Sequence, residues 1–372
     1  MARGKKVSPE NVLVGEPVSL NSQFTLRLLV ANQACTRTSA ETRMLAVQPN
    51  GTLPPVFDCQ HKQHCSQLCG SSKHGSGAYR NRNRTLVLYS YHEPEENKTS
   101  FEAATSGEVA RENLRFFIQE GVVGKAAPAI DEAHFVFVIN GRRLGVELPI
   151  RPNVQRHDRE NVGFEFCGVA EVLTMLASQR LMTFAFFIFL NSSVRGPFYP
   201  VFLPRFTWTH GLTHRLDANV KLSGISIGCG RPGFIHLQSF LLATDCVGLR
   251  VISPSVKCAA TKRDAIFGSE FPISRSILGA GYNLASTMRF WYGHNFRHVA
   301  STLKKCGQFT SQRGDVMFPG KYLAEGVDPN PMELMFVKFN RGNMHSTTIY
   351  EPLGPPGPWR LGSSGATRAV VQ

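Results

Sequence analysis

Residues 186–200 read FFIFLNSSVRGPFYP, and residues 160–166, upstream of them, read ENVGFEF. The apolar start of the later segment is typical of a buried strand. Between the two segments, residues 166–178 place Val169, Leu173 and Leu176 on one helical face. A turn, an amphipathic helix and a buried strand in this order predict an α/β unit.

The same alternation extends in both directions along the chain. Strands are predicted at 85–91, 134–140, 153–157, 183–190 and 220–227, and helices at 108–120, 166–178 and 273–292. This order predicts an α/β fold with a mainly parallel sheet flanked by helices. We place that domain at 84–343, after an irregular and partly disordered leader (1–83) and before a disordered Pro/Gly-rich tail (344–372).

The composition limits the functional class. The chain has 372 residues, 42% of them hydrophobic, and a formal net charge of +14, so global disorder is excluded and anionic partners are favoured. We expect no nucleic-acid partner, because no binding motif accompanies the charge. The longest apolar run, 181–190, is half of the roughly 20 residues that a bilayer requires, so no transmembrane segment is expected in this chain.

Polar loops follow the predicted strands, and in parallel sheets ligands bind at these carboxyl ends. Asn161 and Gly163 form a turn whose N–H groups could face a phosphate. Asn191 and Ser193 follow the apolar strand, and Arg195 can grip a phosphate or carboxylate. The alternative is that these residues only turn the chain. We interpret them as candidate donor-binding residues.

Nine segments carry a family resemblance, and the most specific piece among them is NSSVRGPF. The segments are LVLYSYHE, ENLRFFIQEGV, HFVFVING, RENVGFEFCGVAEVL, FIFLNSSVRGPF, VKLSGISIGC, HLQSFLLATDCVGL, SEFPISRSILGAGYNL and FPGKYLAEGVDPNPMELMFVKFNRG. Over residues 84–343 the chain resembles GT-A-like glycosyltransferases of plants, algae and fungi, and more distantly the bacterial rhamnan synthesis F proteins.

This resemblance implies transfer of a sugar from a nucleotide-sugar donor to a glycan or another hydroxyl acceptor. It implies a hexosyl- or deoxyhexosyltransferase with a GT-A-like sheet. The alternative is a relative that binds carbohydrate or nucleotide on the same scaffold without catalysis, because a fold does not fix a function.

One departure from the general GT-A pattern concerns the metal. Where such enzymes carry an acidic D-x-D motif, this chain has Asn191-Ser192-Ser193. Neutral amide and hydroxyl oxygens hold hard divalent cations weakly. Either no metal is needed, or carboxylates elsewhere in the chain supply the ligands.

Candidate residues for the chemistry lie further along the chain. A general base needs a carboxylate or a histidine near the acceptor hydroxyl. Glu270 is the first candidate, because it occupies the place where the related sequences carry a glutamate, and Asp245 is the second. The alternatives are a helix N-terminal charge for Glu270 and a helix cap for Asp245. Trp208 and His210 are candidate acceptor-binding residues, against ordinary packing in a loop.

The cysteines leave the compartment open. There are nine, an odd number spread over a large chain, which does not indicate a disulfide scaffold. Cys59, Cys65 and Cys69, with two nearby histidines, could bind zinc, although paired ligand spacing is missing. The alternative for this cluster is a flexible insert or a disulfide. An endomembrane lumen requires an anchor upstream of this chain, and otherwise the cytoplasm is expected.

Overall fold

The computed structural model describes residues 84–94, 107–141, 143–177, 181–199, 207–228, 235–307, 317 and 329–339. The predicted leader with its cysteine–histidine cluster and the predicted tail lie outside these residues. Within them, no helix is both long enough and apolar enough to cross a bilayer.

The described residues form eleven strands. They are β1 Thr85–His92, β2 Ala133–Asn140, β3 Val154–Arg159, β4 Phe186–Asn191, β5 Val194–Arg195, β6 Val220–Gly224, β7 Ile227–Gly228, β8 His236–Leu237, β9 Leu241–Asp245, β10 Asn283–Ser286 and β11 Val337–Lys338. Seven of them form one sheet in the order β10-β6-β9-β4-β1-β2-β3. Only β9 runs antiparallel to its neighbours in this sheet. Two further pairs, β5 with β11 and β7 with β8, are antiparallel.

Eight α-helices accompany these strands in the described part of the chain. They are α1 Gly107–Phe116, α2 Glu165–Ala177, α3 Trp208–Thr213, α4 Cys246–Ile252, α5 Lys262–Ala265, α6 Phe271–Gly279, α7 Val299–Gly307 and α8 Pro331–Leu334. A π-helical turn, Phe117–Val122, extends α1, and another, Ile266–Glu270, joins α5 to α6.

The helices cover both faces of the sheet. Phe117, at the end of α1, contacts the rings of Phe135 and Phe137 in β2. Gly168 in α2 lies against Val138 of the same strand. Successive side chains of a strand point to opposite faces, so α1 and α2 lie on opposite sides. The predicted mainly parallel sheet flanked by helices is confirmed.

The central strands are apolar because both of their faces are covered. Residues 86–89 of β1 and 135–139 of β2 are at most 1% exposed. The register pairs Ser90 with Asn191, and Asn140 with both His92 and Arg159. The carboxyl ends of β1 to β4 therefore lie together at one end of the sheet, which we call its carboxyl edge.

Two secondary-structure predictions need correction. The helix predicted over 273–292 ends at Gly279, because Gly281 takes a left-handed φ of +85° and the chain then enters β10. The predicted strand 220–227 is divided into β6 and the short β7, and β9 is an additional strand.

Disulfides are present in the described domain. Cys167 in α2 is bonded to Cys258, across a sequence separation of 91 residues. Cys246 and Cys306 are also disulfide-bonded.

Candidate active site

The turn after β4 forms the centre of the candidate site. The backbone N–H of Ser193 donates to Asn191 Oδ1 at 3.1 Å, and the Ser193 hydroxyl donates to the same atom at 2.5 Å. The Asn191 backbone N–H donates to the carbonyl of Phe240, just before β9, at 3.1 Å. Asn191 therefore folds its own turn and also fixes the segment around 239–240 beside it.

A carboxyl group reaches this turn from α2. The Asn191 side-chain amide donates to Glu165, the first residue of that helix. Gly163 and Phe164, just before it, have left-handed φ values of +83° and +65°. This bend leads the chain from the end of β3 into α2, and it brings the carboxyl of Glu165 within hydrogen-bond distance of Asn191 at the end of β4.

Two braces hold this loop in place. Arg159 donates to the carbonyl of Val162 at 2.8 Å and forms an ion pair with Glu171 at 2.9 Å. The Cys167–Cys258 disulfide lies directly behind Gly163, where a Cβ would be 2.7 Å from Sγ of Cys167. Glycine fits this space and this φ, whereas a Cβ at position 163 would clash with the disulfide.

Glu270 reaches the same place from another direction. It ends the π-helical turn that joins α5 to α6, inside a continuous helical segment. A helix N-terminal charge was the alternative role for Glu270, and this position contradicts it. Single π-helical turns inside α-helices frequently occur at functional sites.

Ser239 influences both carboxyls. Its polar side chain acts to lower the pKa of Glu165 and that of Glu270. Lys338 in β11 carries the positive charge that acts on both. Its ammonium lies 5.2 Å from the ring centre of Phe240, and the next residue, Phe339, donates its N–H to the Ser193 carbonyl at 3.1 Å.

The surroundings shift both carboxyls toward the protonated form. Burial, followed by repulsion from the Glu270 charge, raises the pKa of Glu165 to about 7. Burial also raises the pKa of Glu270, although Lys338, Ser239 and Lys262 act in the opposite direction. A carboxyl with a raised pKa is typical of residues that perform general acid–base chemistry.

The predicted donor-binding residues lie at this same edge. Asn161 is exposed and its amide lies 3.4 Å from Nε2 of His92 at the end of β1. Gly163, Asn191 and Ser193 line the loop and the turn described above. Thus the elements that carry these residues meet at one end of the sheet, as the strand order predicts.

Arg195 forms hydrogen bonds and a ring contact with other residues of the protein. Its Nε donates to Asn113 at 3.0 Å and its Nη2 to Glu112 at 2.8 Å, both on α1. Its guanidinium stacks 4.0 Å from the ring centre of Phe339. Arg195 thereby joins α1 to the β5–β11 pair that carries Lys338.

The prediction of Asp245 as the second candidate base needs correction. It ends the antiparallel strand β9 and pairs with Phe186, the first residue of β4, so it lies at the opposite edge of the sheet from Asn191. Its side chain caps α4 through Gly248 N–H at 2.8 Å and pairs with Lys221 at 2.6 Å. Asp245 is therefore a helix-capping residue, which was its alternative role in the sequence analysis.

The prediction of Trp208 as an acceptor-binding residue also needs correction. It is 0% exposed, its ring packs edge-on against Phe117 and Phe336, and its indole N–H donates to the carbonyl of Gly121 at 2.9 Å. It belongs to the core and cannot line a groove. His210, on the same short helix, is exposed.

Three residues of this site were not predicted from the sequence: Glu165, Ser239 and Lys338. Glu165 could have been found, because it is the only carboxylate between the ENVG turn and the apolar face of the following helix. Ser239 and Lys338 reach the site only through tertiary contacts, and no local pattern marks them.

The side chains at this edge do not form a divalent-metal site of the usual kind. No group of three or more His, Cys, Asp or Glu suited to a metal occurs among the described residues. Asn191 Oδ1 already accepts two hydrogen bonds from Ser193, and the Lys338 ammonium competes for the two carboxyls. We therefore derive no step through a metal.

Comparisons with known proteins give fold-level likenesses. No protein-family profile and no curated protein matches the chain. Among solved structures, it is similar to the mannosyltransferase PcManGT from Pyrobaculum calidifontis, solved with GDP-mannose and Mn²⁺, at 14% identity over 60% of this chain and 60% of that one, with a TM-score of 0.33. It is also similar to a protein from Desulfovibrio desulfuricans G20 assigned as a nucleotide-diphospho-sugar transferase, at 10% identity over 59% and 93% of the two chains, with a TM-score of 0.33.

The structural neighbours are thus named as sugar transferases, while the donor and the metal belong to the mannosyltransferase complex. The alignment spans 60% of that enzyme. Likenesses at these identities and TM-scores carry no functional assignment.

Proposed function

We propose that the chain transfers a sugar from a nucleotide-sugar donor to a hydroxyl acceptor, such as a glycan, as a member of the GT-A-like family that its sequence resembles. The observation that carries the proposal is the half-buried Glu270 carboxyl, whose pKa burial raises and whose charge acts on Glu165, the residue that accepts a hydrogen bond from Asn191 at the carboxyl edge of the sheet. Ligands of open α/β sheets bind at this edge.

Glu270 takes the role of general base. In the transfer, the acceptor oxygen forms a bond to the anomeric carbon, and the bond from that carbon to the phosphate oxygen breaks with its electron pair leaving on the nucleoside diphosphate. The acceptor proton passes to Glu270. A carboxylate with a raised pKa is better matched to this proton than an ordinary one.

The donor side of the proposal uses Asn161, Gly163, Asn191, Ser193 and Arg195. Backbone N–H groups of the two loops and the amide of Asn161 are suited to the diphosphate and the nucleoside. Arg195 fixes the strand that carries Lys338, and Lys338 supplies positive charge beside the carboxyls. His210 remains the candidate contact for the acceptor.

The second candidate function is binding of a sugar nucleotide without transfer. The neutral Asn191-Ser192-Ser193 sequence favours it, because charged groups that could offset a departing diphosphate are few there. Both functions predict that the chain binds a sugar nucleotide, but only the transfer function predicts that the donor is turned over.

A donor panel distinguishes them. The chain is incubated with UDP- and GDP-linked sugars, with and without oligosaccharide acceptors, and the products are read by mass spectrometry. Transfer predicts release of the nucleoside diphosphate from one donor and an acceptor mass increased by one sugar. Saturable binding of a donor, with no diphosphate released over hours at any acceptor concentration, would establish the binding function instead.

A further inference from the structure

We propose that Asn113, a buried residue of α1, is a positioning residue of the donor site. Its side-chain amide holds the Asn191–Ser193 turn and the Arg195 guanidinium at a fixed spacing, so that Arg195 can bind the diphosphate of a sugar nucleotide. The proposal rests on the proposed function for the identity of this ligand. The geometry that Asn113 imposes on Arg195 is a property of the protein alone, and it can be measured without any ligand.

Asn113 contacts both parts of the site from the interior of the protein, where it is 0% exposed. Its amide nitrogen donates to the Ser192 carbonyl at 2.9 Å, and its amide oxygen accepts a hydrogen bond from Nε of Arg195 at 3.0 Å. The partners fix this orientation of the amide, because a carbonyl only accepts and a guanidinium only donates. One side chain therefore connects the turn after β4 to the strand β5 that follows it.

The turn is held on both sides of a single peptide unit. The carbonyl of Ser192 accepts from Asn113, and the N–H of Ser193, in the same peptide unit, donates to Asn191 Oδ1 at 3.1 Å. The plane of this peptide cannot rotate without breaking one of the two hydrogen bonds. Asn113 therefore sets the orientation of the turn as well as its distance from Arg195.

The contacts of the Arg195 guanidinium differ in exposure. Asn113 binds its Nε from the interior, and the ring centre of Phe339 lies 4.0 Å from the guanidinium carbon. The ion pair between Nη2 and Glu112, at 2.8 Å, lies at the surface, because the Glu112 side chain is 48% exposed. Exposed ion pairs are weak. A diphosphate, which carries more negative charge than one carboxylate, can therefore replace Glu112 while Asn113 keeps the guanidinium in place.

Packing alone does not account for an amide at position 113. Asn113 shares the buried side of α1 with Ala110 and Leu114, where an apolar residue would bury no polar atoms. A buried amide is unfavourable unless it is hydrogen-bonded, and asparagine is a poorer helix former than leucine. Since both of these hydrogen bonds go to the turn and to Arg195, the positioning of these groups explains the amide.

Hydrogen exchange of the Arg195 Nε–H tests the positioning without a ligand. Its ¹⁵N NMR signal in the full chain is assigned by its loss in Arg195→Lys. We expect slow exchange in the wild type and exchange about tenfold faster in Asn113→Leu, which offers no acceptor. Asn113→Asp keeps an acceptor oxygen and should retain slow exchange. Unchanged exchange in Asn113→Leu, or fast exchange in Asn113→Asp, would overturn the assignment.

Calorimetric titration with UDP, GDP and inorganic pyrophosphate tests the role in diphosphate binding. For the probe that the wild type binds, we expect the affinity to fall by about 10- to 100-fold in Asn113→Leu. It should also fall in Asn113→Asp, whose added charge opposes the ligand. Glu112→Gln should bind at least as tightly as the wild type, because the competing carboxylate is gone. A loss of affinity in Glu112→Gln as large as that in Asn113→Leu would contradict the proposal.

Asn153→Leu is the matched control for both measurements. Asn153 is 2% exposed, and its amide donates to the Ala133 carbonyl at 2.9 Å, at the amino end of β2. This variant should also lose stability, but its affinity should change by less than about twofold, because distant sites act independently. If Asn113→Leu binds the probe as Asn153→Leu does, Asn113 is only structural and the proposal is wrong. If the exchange data agree with expectation and the wild type binds none of the three probes, the proposed function fails and the role of Asn113 in fixing Arg195 stands.

Discussion

The side-chain amide of Asn191 donates a hydrogen bond to the carboxyl of Glu165, and this contact joins the end of β4 to the start of α2. The neutral amide stands where an acidic motif was expected from the resemblance. A carboxylate at 191 would repel Glu165, whereas an amide offers it a donor. The identity of residue 191 is therefore consistent with a site built around a pair of glutamates.

Removing this contact is expected to destabilise the domain. Asn191→Ala leaves the half-buried Glu165 without its donor and also removes the acceptor of two hydrogen bonds from Ser193. We expect a loss of about 1–3 kcal/mol in the free energy of unfolding, the cost of leaving buried polar groups unpaired, measured by denaturant titration. Asn161→Ala, an exposed amide at the same edge, should change it by less than about 0.5 kcal/mol. Equal effects of the two changes would contradict this account.

Asp245 is expected to act on stability alone. Asp245→Ala removes the cap of α4 and leaves Lys221 unpaired at 10% side-chain exposure. A lost cap costs about 0.5–2 kcal/mol, and the uncompensated ammonium adds to it. Asp245→Asn, which keeps a capping oxygen, should recover part of the loss. Turnover of the folded protein should remain at the wild-type level in both variants, and a hundredfold fall in either one would return Asp245 to the catalytic site.

The raised pKa of Glu165 predicts how stability depends on pH. Between its ordinary value of 4.5 and about 7, the folded state holds this proton and the unfolded state does not, so the contribution of Glu165 to stability falls as the pH rises through this interval. Glu165→Gln lacks this loss. We expect it to be more stable than the wild type at pH 8, relative to pH 4, by about 3 kcal/mol, measured by thermal melting across pH. A difference that is constant with pH would contradict the shift.

The Cys167–Cys258 disulfide is expected to stabilise both the domain and the loop that presents Glu165. It closes a loop with a sequence separation of 91 residues, and removing such a bond typically costs about 2–5 kcal/mol. Cys167→Ser with Cys258→Ser should show this loss in denaturant titrations. Adding a thiol reductant should lower the stability of the wild type by more than it lowers the stability of the double variant. Because disulfides persist in oxidising compartments, the protein should be produced in one, and equal sensitivity to reductant would contradict a role for this pair.

The sequence predicted the parts of the fold that local patterns determine. The apolar runs of β1, β2 and β4 were found because strands covered on both faces are apolar throughout. The strand β9 was missed, since five mostly apolar residues followed at once by a helix do not show a period of their own. The helix at 273 was extended too far, because a glycine inside a helical pattern does not by itself reveal the left-handed φ of Gly281.

The site was predicted only in part, for a related reason. Strand ends locate polar loops, and so Asn161, Asn191 and Arg195 were placed at one edge. Ser239 and Lys338 join that edge through long-range pairing that no spacing in the sequence encodes. Trp208 was misassigned because the sequence pattern of a tryptophan followed by histidines does not distinguish a binding groove from a packed core.

The measurement that tests the central claim most directly is single-turnover transfer by Glu270→Gln, with the donor identified from the panel and its affinity measured in parallel. Glutamine preserves the shape of the side chain and removes the proton acceptor, so we expect the rate to fall by about 10²–10⁴-fold while donor affinity and melting temperature stay close to the wild type. Glu132→Gln, an exposed change at the opposite edge of the sheet, should be unchanged in all three. A stable Glu270→Gln that transfers sugar at the wild-type rate would contradict the account.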